Sequence, residues 1–156
     1  PNSFMQNVVT FMSETIKAES AFYSASGEAK IAHIDVRDIA AVAVKALTEP
    51  THAGQAYTLT GPEALTYDEL AQKLSVVLGR SISHISLPPE DWKHGMLAEG
   101  LPDAIADRRL DLERYYREDQ ASRITNDVQR VTGQESRQFT QYIRDYASLL
   151  QPALVA

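Results

Sequence analysis

Apolar positions recur at intervals of three and four over most of this chain and at intervals of two over only a few short runs, so helices should dominate. Phe4, Val8, Phe11, Met12 and Ile16 predict an amphipathic helix over residues 3–22, followed by a loop in the small polar run YSASGEA (23–29). Residues 30–34 predict a short strand. Asp35 is placed to cap the next helix, Asp38 adds negative charge at its positive end, and Pro50 lies past its stop. Ile39, Val42, Ala43, Ala46 and Leu47 form the stripe that this helix should bury. The run QAYTLTGP (55–62) predicts a second strand. Thr66 and Glu69 then form a capping box, Leu65 and Leu70 a hydrophobic staple, and Gly79 a C-terminal stop. Leu70, Leu74, Val77 and Leu78 face inward, and SISHISLP (81–88) predicts a third strand. Beyond residue 89 only helices are expected: 89–98, 102–120, a short piece between Thr125 and Gly133, and 136–150.

The resulting order, α-β-α-β-α-β-α-α-α, describes an α/β fold of one domain. Residues 1–88 form an α/β segment and residues 89–156 a helical region packed on it. Strands separated by helices tend to run parallel, and a parallel sheet needs helices on both faces and normally more than three strands. The sheet is therefore expected to be incomplete. Partner strands come either from a second copy of the chain, giving a homo-oligomer such as an intertwined dimer, or from another half of a larger doubly wound domain.

Composition narrows the function classes. A net charge of −6 over 156 residues argues against nucleic-acid binding, which needs clustered Lys and Arg. The densest basic stretch, Arg108 to Arg117, is interleaved with Asp107, Asp111 and Glu113 and reads as a solvated helix face. No apolar run approaches the roughly 18 residues of a membrane span. With no cysteine, disulfides and thiolate metal sites are excluded, which fits a reducing cytoplasm. His52, His84 and His94 lack metal-ligand spacing, so no metal site is expected.

Several segments, in order, resemble the C-terminal half of NmrA-like proteins, atypical short-chain dehydrogenases with an NAD(P)-binding Rossmann fold. They are PNSFMQNVV, the run from AKIAHIDVRDIA through YTLTGPE and YDELAQKLSVVLGRSI, then PPEDWKHGMLAEGLP, ITNDVQRVTG and RQFTQYIRDYA. The resemblance implies a partial Rossmann-like fold and an oxidoreductase using NAD(P). It also exposes a departure, because a family glycine loop should hold the dinucleotide diphosphate at a helix N-terminus. The seven glycines here (27, 54, 61, 79, 95, 100 and 133) match no such spacing. The Tyr-x-x-x-Lys pair of many dehydrogenases is absent as well. The chain also starts at Pro1 without an initiator Met, which suggests truncation or processing. No dinucleotide is therefore expected to bind this chain alone.

The resemblance places Pro1 to Asn7 beside the nicotinamide and substrate. Asn2 and Asn7 become candidates for hydrogen bonds to a carboxamide, and Phe4 and Met5 for an apolar pocket wall; the competing account makes Phe4 and Met5 the core face of the first helix. Trp92 and Met96, in the variable segment that resembles a substrate lid, are further wall candidates, against a packing role. His33 and Asp35 lie two apart at the end of the 30–34 strand and would share a face if the strand ran on to Asp35, the spacing at which a carboxylate can orient an imidazole. With Ser24 or Ser26 they sketch a hydrolytic triad, although no nucleophile elbow supports it. The competing account, favoured by the capping signal, leaves Asp35 as a helix cap and His33 as a strand residue. Three functions stand in order. The first is the substrate-side half of an NAD(P)-dependent oxidoreductase or redox sensor with a small-molecule ligand. The second is a self-associating, non-catalytic module, and the third a small hydrolase.

Overall fold

Residues 3–152 are described by the computed structural model, and the candidate Asn2 lies outside them. A π-helical turn, Val8–Met12, runs into helix α1 (Ser13–Glu19). Ser20 then adopts a left-handed conformation (φ 57°) and turns the chain into strand β1 (Ala21–Ser24). Helices α2 (Val36–Thr48) and α3 (Tyr67–Leu78) follow, then strand β2 (Ser83–Ser86). The remainder is helical: α4 (Pro89–Ala98), α5 (Asp103–Arg117), α6 (Asp127–Thr132) and α7 (Phe139–Tyr146).

The α/β class holds and β2 falls inside the predicted 81–88 strand, but the strands predicted at 30–34 and 55–62 do not form. β1 lies where a helix end and a loop were expected. It pairs in parallel with β2, Ala21 opposite Ser83 and Ser24 opposite Ser86, as the only ladder among the described residues. Residues 30–34 form no ladder, because their backbone groups are shared among several segments. Ile31 exchanges both bonds with Leu65, Ala32 donates to Ala121, and Ile34 bridges Ser3 and Met5. Residues 55–62 form no strand either. There the Thr58 N–H donates to the Asp127 carboxylate, and Thr60 pairs with Thr125, so side chains replace a ladder partner.

Helix starts follow the sequence closely. The Asp35 carboxylate accepts from the Arg37 N–H at 2.9 Å, and the Thr66–Glu69 capping box is complete. Gly79 and Gly133 end α3 and α6 with positive φ, where an L side chain would be strained.

One core cluster gathers Met5, Ile16, Phe22, Ile31, Leu70 and Leu74 with Tyr116 of α5 and Phe139, Tyr142 and Ile143 of α7, and so joins residues on both sides of position 88. Full burial of each large side chain is worth about 1.5–3 kcal/mol. A second, smaller cluster (Ile34, Val42, Val128 and Val131) packs α6 on α2. It covers one narrow line of α2. The expected stripe is correspondingly corrected: Val42 is buried, but Ala43 and Ala46 are exposed and Leu47 is 87% exposed.

Candidate functional site

A cavity of about 400 Å³ opens between α1, β1, α4 and α5. Phe22, fully buried on β1, and Tyr67, at the start of α3, belong to its lining. Met12 from the π-helical turn and Trp92 and Met96 from α4 add apolar wall. Phe11 stands 60% exposed with the Arg109 guanidinium 5.0 Å from its ring centre. Among the residues nominated as pocket wall, Trp92 and Met96 therefore line this cavity. Met5 is fully buried in the core, and Phe4 forms a backbone bridge to Ile34 away from the cavity. Asn7 precedes the π-helical turn and makes no side-chain cap there.

His33 and Asp35 do not form a pair. Asp35 is fully buried and is consumed by capping: Arg37 chelates it through its side chain and backbone, and Gln6 Nε2 donates at 2.9 Å. Burial pushes its carboxyl up, but these bonds outweigh burial and hold it below the usual carboxylate range. His33 meets Ser3 Oγ through Nδ1 at 2.9 Å, while its buried Nε2 has no partner among the described residues. Desolvation lowers its pKa to about 4, so the ring is neutral at physiological pH.

Ser24 and Ser26, the serines sketched beside His33, are instead joined to another histidine. Ser24 Oγ lies 2.8 Å from His84 Nε2, and His84 Nδ1 lies 2.9 Å from the Asp68 carboxylate. β1 supplies the serine, β2 the histidine and the first turn of α3 the aspartate. The His84 side chain is 2% exposed, stacked on Phe22 at 5.3 Å and tilted against Tyr67 at 5.4 Å. Ser24 lines the cavity, and Ser26 Oγ is 3.1 Å from Ser24 Oγ. Glu113 of α5 faces the same cavity, 5% exposed, and accepts the Ala25 N–H at 3.2 Å. Burial raises its pKa, opposed by bonds from Ser26 and Ala25 and by the charge of Arg117. This group escaped the sequence reading because its long-range contacts join positions 16 (Asp68–His84), 60 (Ser24–His84) and 88 (Ala25–Glu113) residues apart. The available signals were a histidine inside an alternating strand and an aspartate in the first turn of the helix feeding that strand.

Among the described residues, the starts of α2 to α6 do not suit a dinucleotide diphosphate. A diphosphate needs bare N–H groups and a positive helix end, yet α2 to α6 each carry an acidic residue in the first turn. The glycines with positive φ have no close neighbour, and Gly61 is pressed against the chain itself. A Cβ there would sit 1.9 Å from the His33 carbonyl oxygen.

No family model matches the chain. It is 38% identical over 148 residues to an NAD(P)H azoreductase of Xenophilus azovorans, covering 95% of this chain and 51% of that protein. It is 35% identical to an agroclavine dehydrogenase of Claviceps fusiformis, covering 93% of this chain and 51% of the relative. Its fold matches the NADPH-dependent quinone oxidoreductase QOR2 of Escherichia coli with a TM-score of 0.85 at 22% identity, over 94% of this chain and 53% of that one. The triphenylmethane reductase of Citrobacter sp., solved with NADP(H), gives a TM-score of 0.82 at 23% identity, over 92% and 50% of the two chains. The chain thus spans about half the length of the curated relatives it matches. Over that half it is similar in sequence and fold to these oxidoreductases, in keeping with the resemblance to NmrA-like, atypical short-chain dehydrogenases.

Proposed function

We propose that this chain is the substrate-side half of an NAD(P)H-dependent reductase whose acceptor is a flat, conjugated aromatic molecule. The cavity walled by Phe22, Tyr67, Trp92, Met12 and Met96 carries this reading, because its volume and aromatic lining suit a planar ring system. The relatives support it by name, since an azoreductase, a quinone oxidoreductase and a triphenylmethane reductase act on conjugated acceptors. The dinucleotide is held by elements outside this chain, in keeping with the acidic helix starts. Trp92 is the only tryptophan and reports directly on the cavity. Titration with 1,4-naphthoquinone should quench its fluorescence saturably, and Met96→Glu should weaken that binding several-fold. A linear, non-saturating response would reject the site. Calorimetric titration of the chain with NADPH and NADH should show no micromolar binding, and a micromolar signal would reject the division into halves.

A second reading, self-association of the chain, is favoured by a different observation. The two-stranded parallel sheet is short, and Val44 (60% exposed), Leu47 (87%) and Val76 (80%) leave apolar surface on α2 and α3 uncovered. A second copy of the chain would cover these faces and extend the sheet. Light scattering should then give a dimer at micromolar concentration, and a monomer would end this reading.

A further inference from the structure

We propose that Glu113 is the proton donor of the aromatic cavity and that His84 is a proton store that reloads it through Ser24 and Ser26, with the Asp68 carboxylate holding the stored charge. The inference rests on the reading of the cavity as an acceptor site and adds the group that protonates the acceptor. Three of the links are direct hydrogen bonds. His84 Nδ1 is 2.9 Å from Asp68, His84 Nε2 is 2.8 Å from Ser24 Oγ, and Ser24 Oγ is 3.1 Å from Ser26 Oγ. Glu113 accepts the N–H of Ala25, the residue between the two serines, at 3.2 Å, and the Ser26 hydroxyl favours its charged form. Phe22 and Tyr67 hold the imidazole from two sides, and all three intermediate side chains are almost fully buried.

Donor directions follow from Asp68, whose ionised carboxylate only accepts. A protonated His84 donates from Nδ1 to Asp68 and from Nε2 to Ser24. Ser24 then donates to Ser26 and Ser26 to Glu113, which leaves the Glu113 O–H free for the cavity. A reduced quinone or azo acceptor presents a basic oxygen or nitrogen. When Glu113 gives up its proton, its O–H bond breaks as the new O–H or N–H bond forms on the acceptor. Three hydrogens then shift by one position: Ser26 to Glu113, Ser24 to Ser26, and His84 Nε2 to Ser24. No electrons move. His84 ends neutral with its Nδ1–H still on Asp68, and water entering the cavity after product release drives the same shift backwards.

The same three residues, Ser24, His84 and Asp68, have the order of a nucleophilic triad, but the surroundings do not suit acyl transfer. An oxyanion needs free N–H donors beside the nucleophile. The Ala25 N–H is committed to Glu113, and the Ser26 N–H points to Ser24 Oγ at 3.4 Å. A buried carboxyl at the cavity end and an exposed carboxylate (56%) at the other suit proton storage instead. The groups facing Glu113 are consistent with this role. Tyr67 and Tyr116 approach it as neutral phenols whose own ionisation is pushed up, Arg117 offsets its charge, and Arg109 and Glu19 share the cavity.

The test is a pH titration of the isotope-labelled chain by NMR, reading the Glu113 side-chain carboxyl 13C and the His84 ring 15N signals. The His84 ring signals should show an inflection at the pH where Glu113 titrates. That inflection should vanish in Ser24→Ala and in Ser26→Ala, each of which cuts one link while Glu113 still titrates. An inflection of unchanged size in both variants, or none in the parent chain, overturns the relay. Quenching of Trp92 by 1,4-naphthoquinone on the same samples reads the acceptor site separately. Quenching without coupled titration sinks the relay alone. Coupled titration without quenching sinks the acceptor reading and leaves the proton store standing.

Discussion

Two His–Asp sets in this molecule look alike in kind and differ in use. His33 and Asp35 are two residues apart, both nearly inaccessible, and each is spent on structure. Asp35 caps α2 and binds Arg37, which continues to Asp145 at 2.7 Å, while His33 is a neutral core ring against Tyr67 and Phe139. His84 and Asp68 come from different elements, touch each other at 2.9 Å, and adjoin a cavity through Ser24. Adjacency in sequence put the first two on one face, but the demands of a helix N-terminus claimed the carboxylate first. A constellation able to move a proton formed instead where two strands and a helix start converge.

The contrast is most easily broken at Gly61, which lies against the His33 carbonyl. An added Cβ would meet that oxygen at 1.9 Å, and the oxygen is main chain that cannot swing aside. Gly61→Ala should therefore cost about 4 kcal/mol of stability, at the upper end for single substitutions. Urea denaturation measures it, and a loss below about 1 kcal/mol would mean that the 30–34 segment is not held as described.

The next effect is pH dependence. His33 is held at about 4 by burial, against about 6.5 in an unfolded chain. The unfolded state therefore binds the extra proton between these values. The stability contributed by the neutral ring is complete above about pH 6.5 and falls as pH drops toward 4, by roughly 3 kcal/mol in total. His33→Gln should flatten that window in urea melts taken at a series of pH values. A slope that survives unchanged would assign the acid sensitivity elsewhere.

Helices were legible because their signals are local. The Thr66–Glu69 box, the Asp35 cap and the Gly79 and Gly133 stops each act within one turn, and all four stand where the sequence puts them. Strands were legible only in part, since a ladder depends on a partner: 81–88 does hold β2, but the other two expected strands do not form. Ala21–Ser24 reads as a helix end and loop until Ser83–Ser86 lies beside it, whereas 55–62 alternates well yet bonds to the side chains of Asp127 and Thr125. The site follows the same rule. Trp92 and Met96, nominated together on one helix, both line the cavity, but Ser24, His84, Asp68 and Glu113 share no local pattern: the β1–β2 pairing brings Ser24 to His84, and α3 and α5 add the two carboxyls.

Asp35→Ala is expected to lose about 2 kcal/mol, from the cap and from the bonds to Gln6 and Arg37 that it strands. Thermal or urea melts read this directly, and a neutral outcome would return Asp35 to the list of free carboxylates.

Asp68→Asn is the smallest perturbation and the sharpest comparison. The Asp68 side chain is 56% exposed, so its attraction to His84 is screened by water, and exposed pairs are worth about 0–1 kcal/mol. Its place in the first turn of α3 adds a few tenths through the helix dipole. The stability loss should stay below about 1 kcal/mol, less than half that of Asp35→Ala. The imidazole, however, loses the carboxylate that its Nδ1 faces at 2.9 Å, so its ring 15N signals should move. A large stability loss with no movement of His84 would make Asp68 a strut like Asp35. A small loss with a clear movement would mean that stability and proton storage lie on different His–Asp sets, which lets the cavity side change its charge without loosening the core.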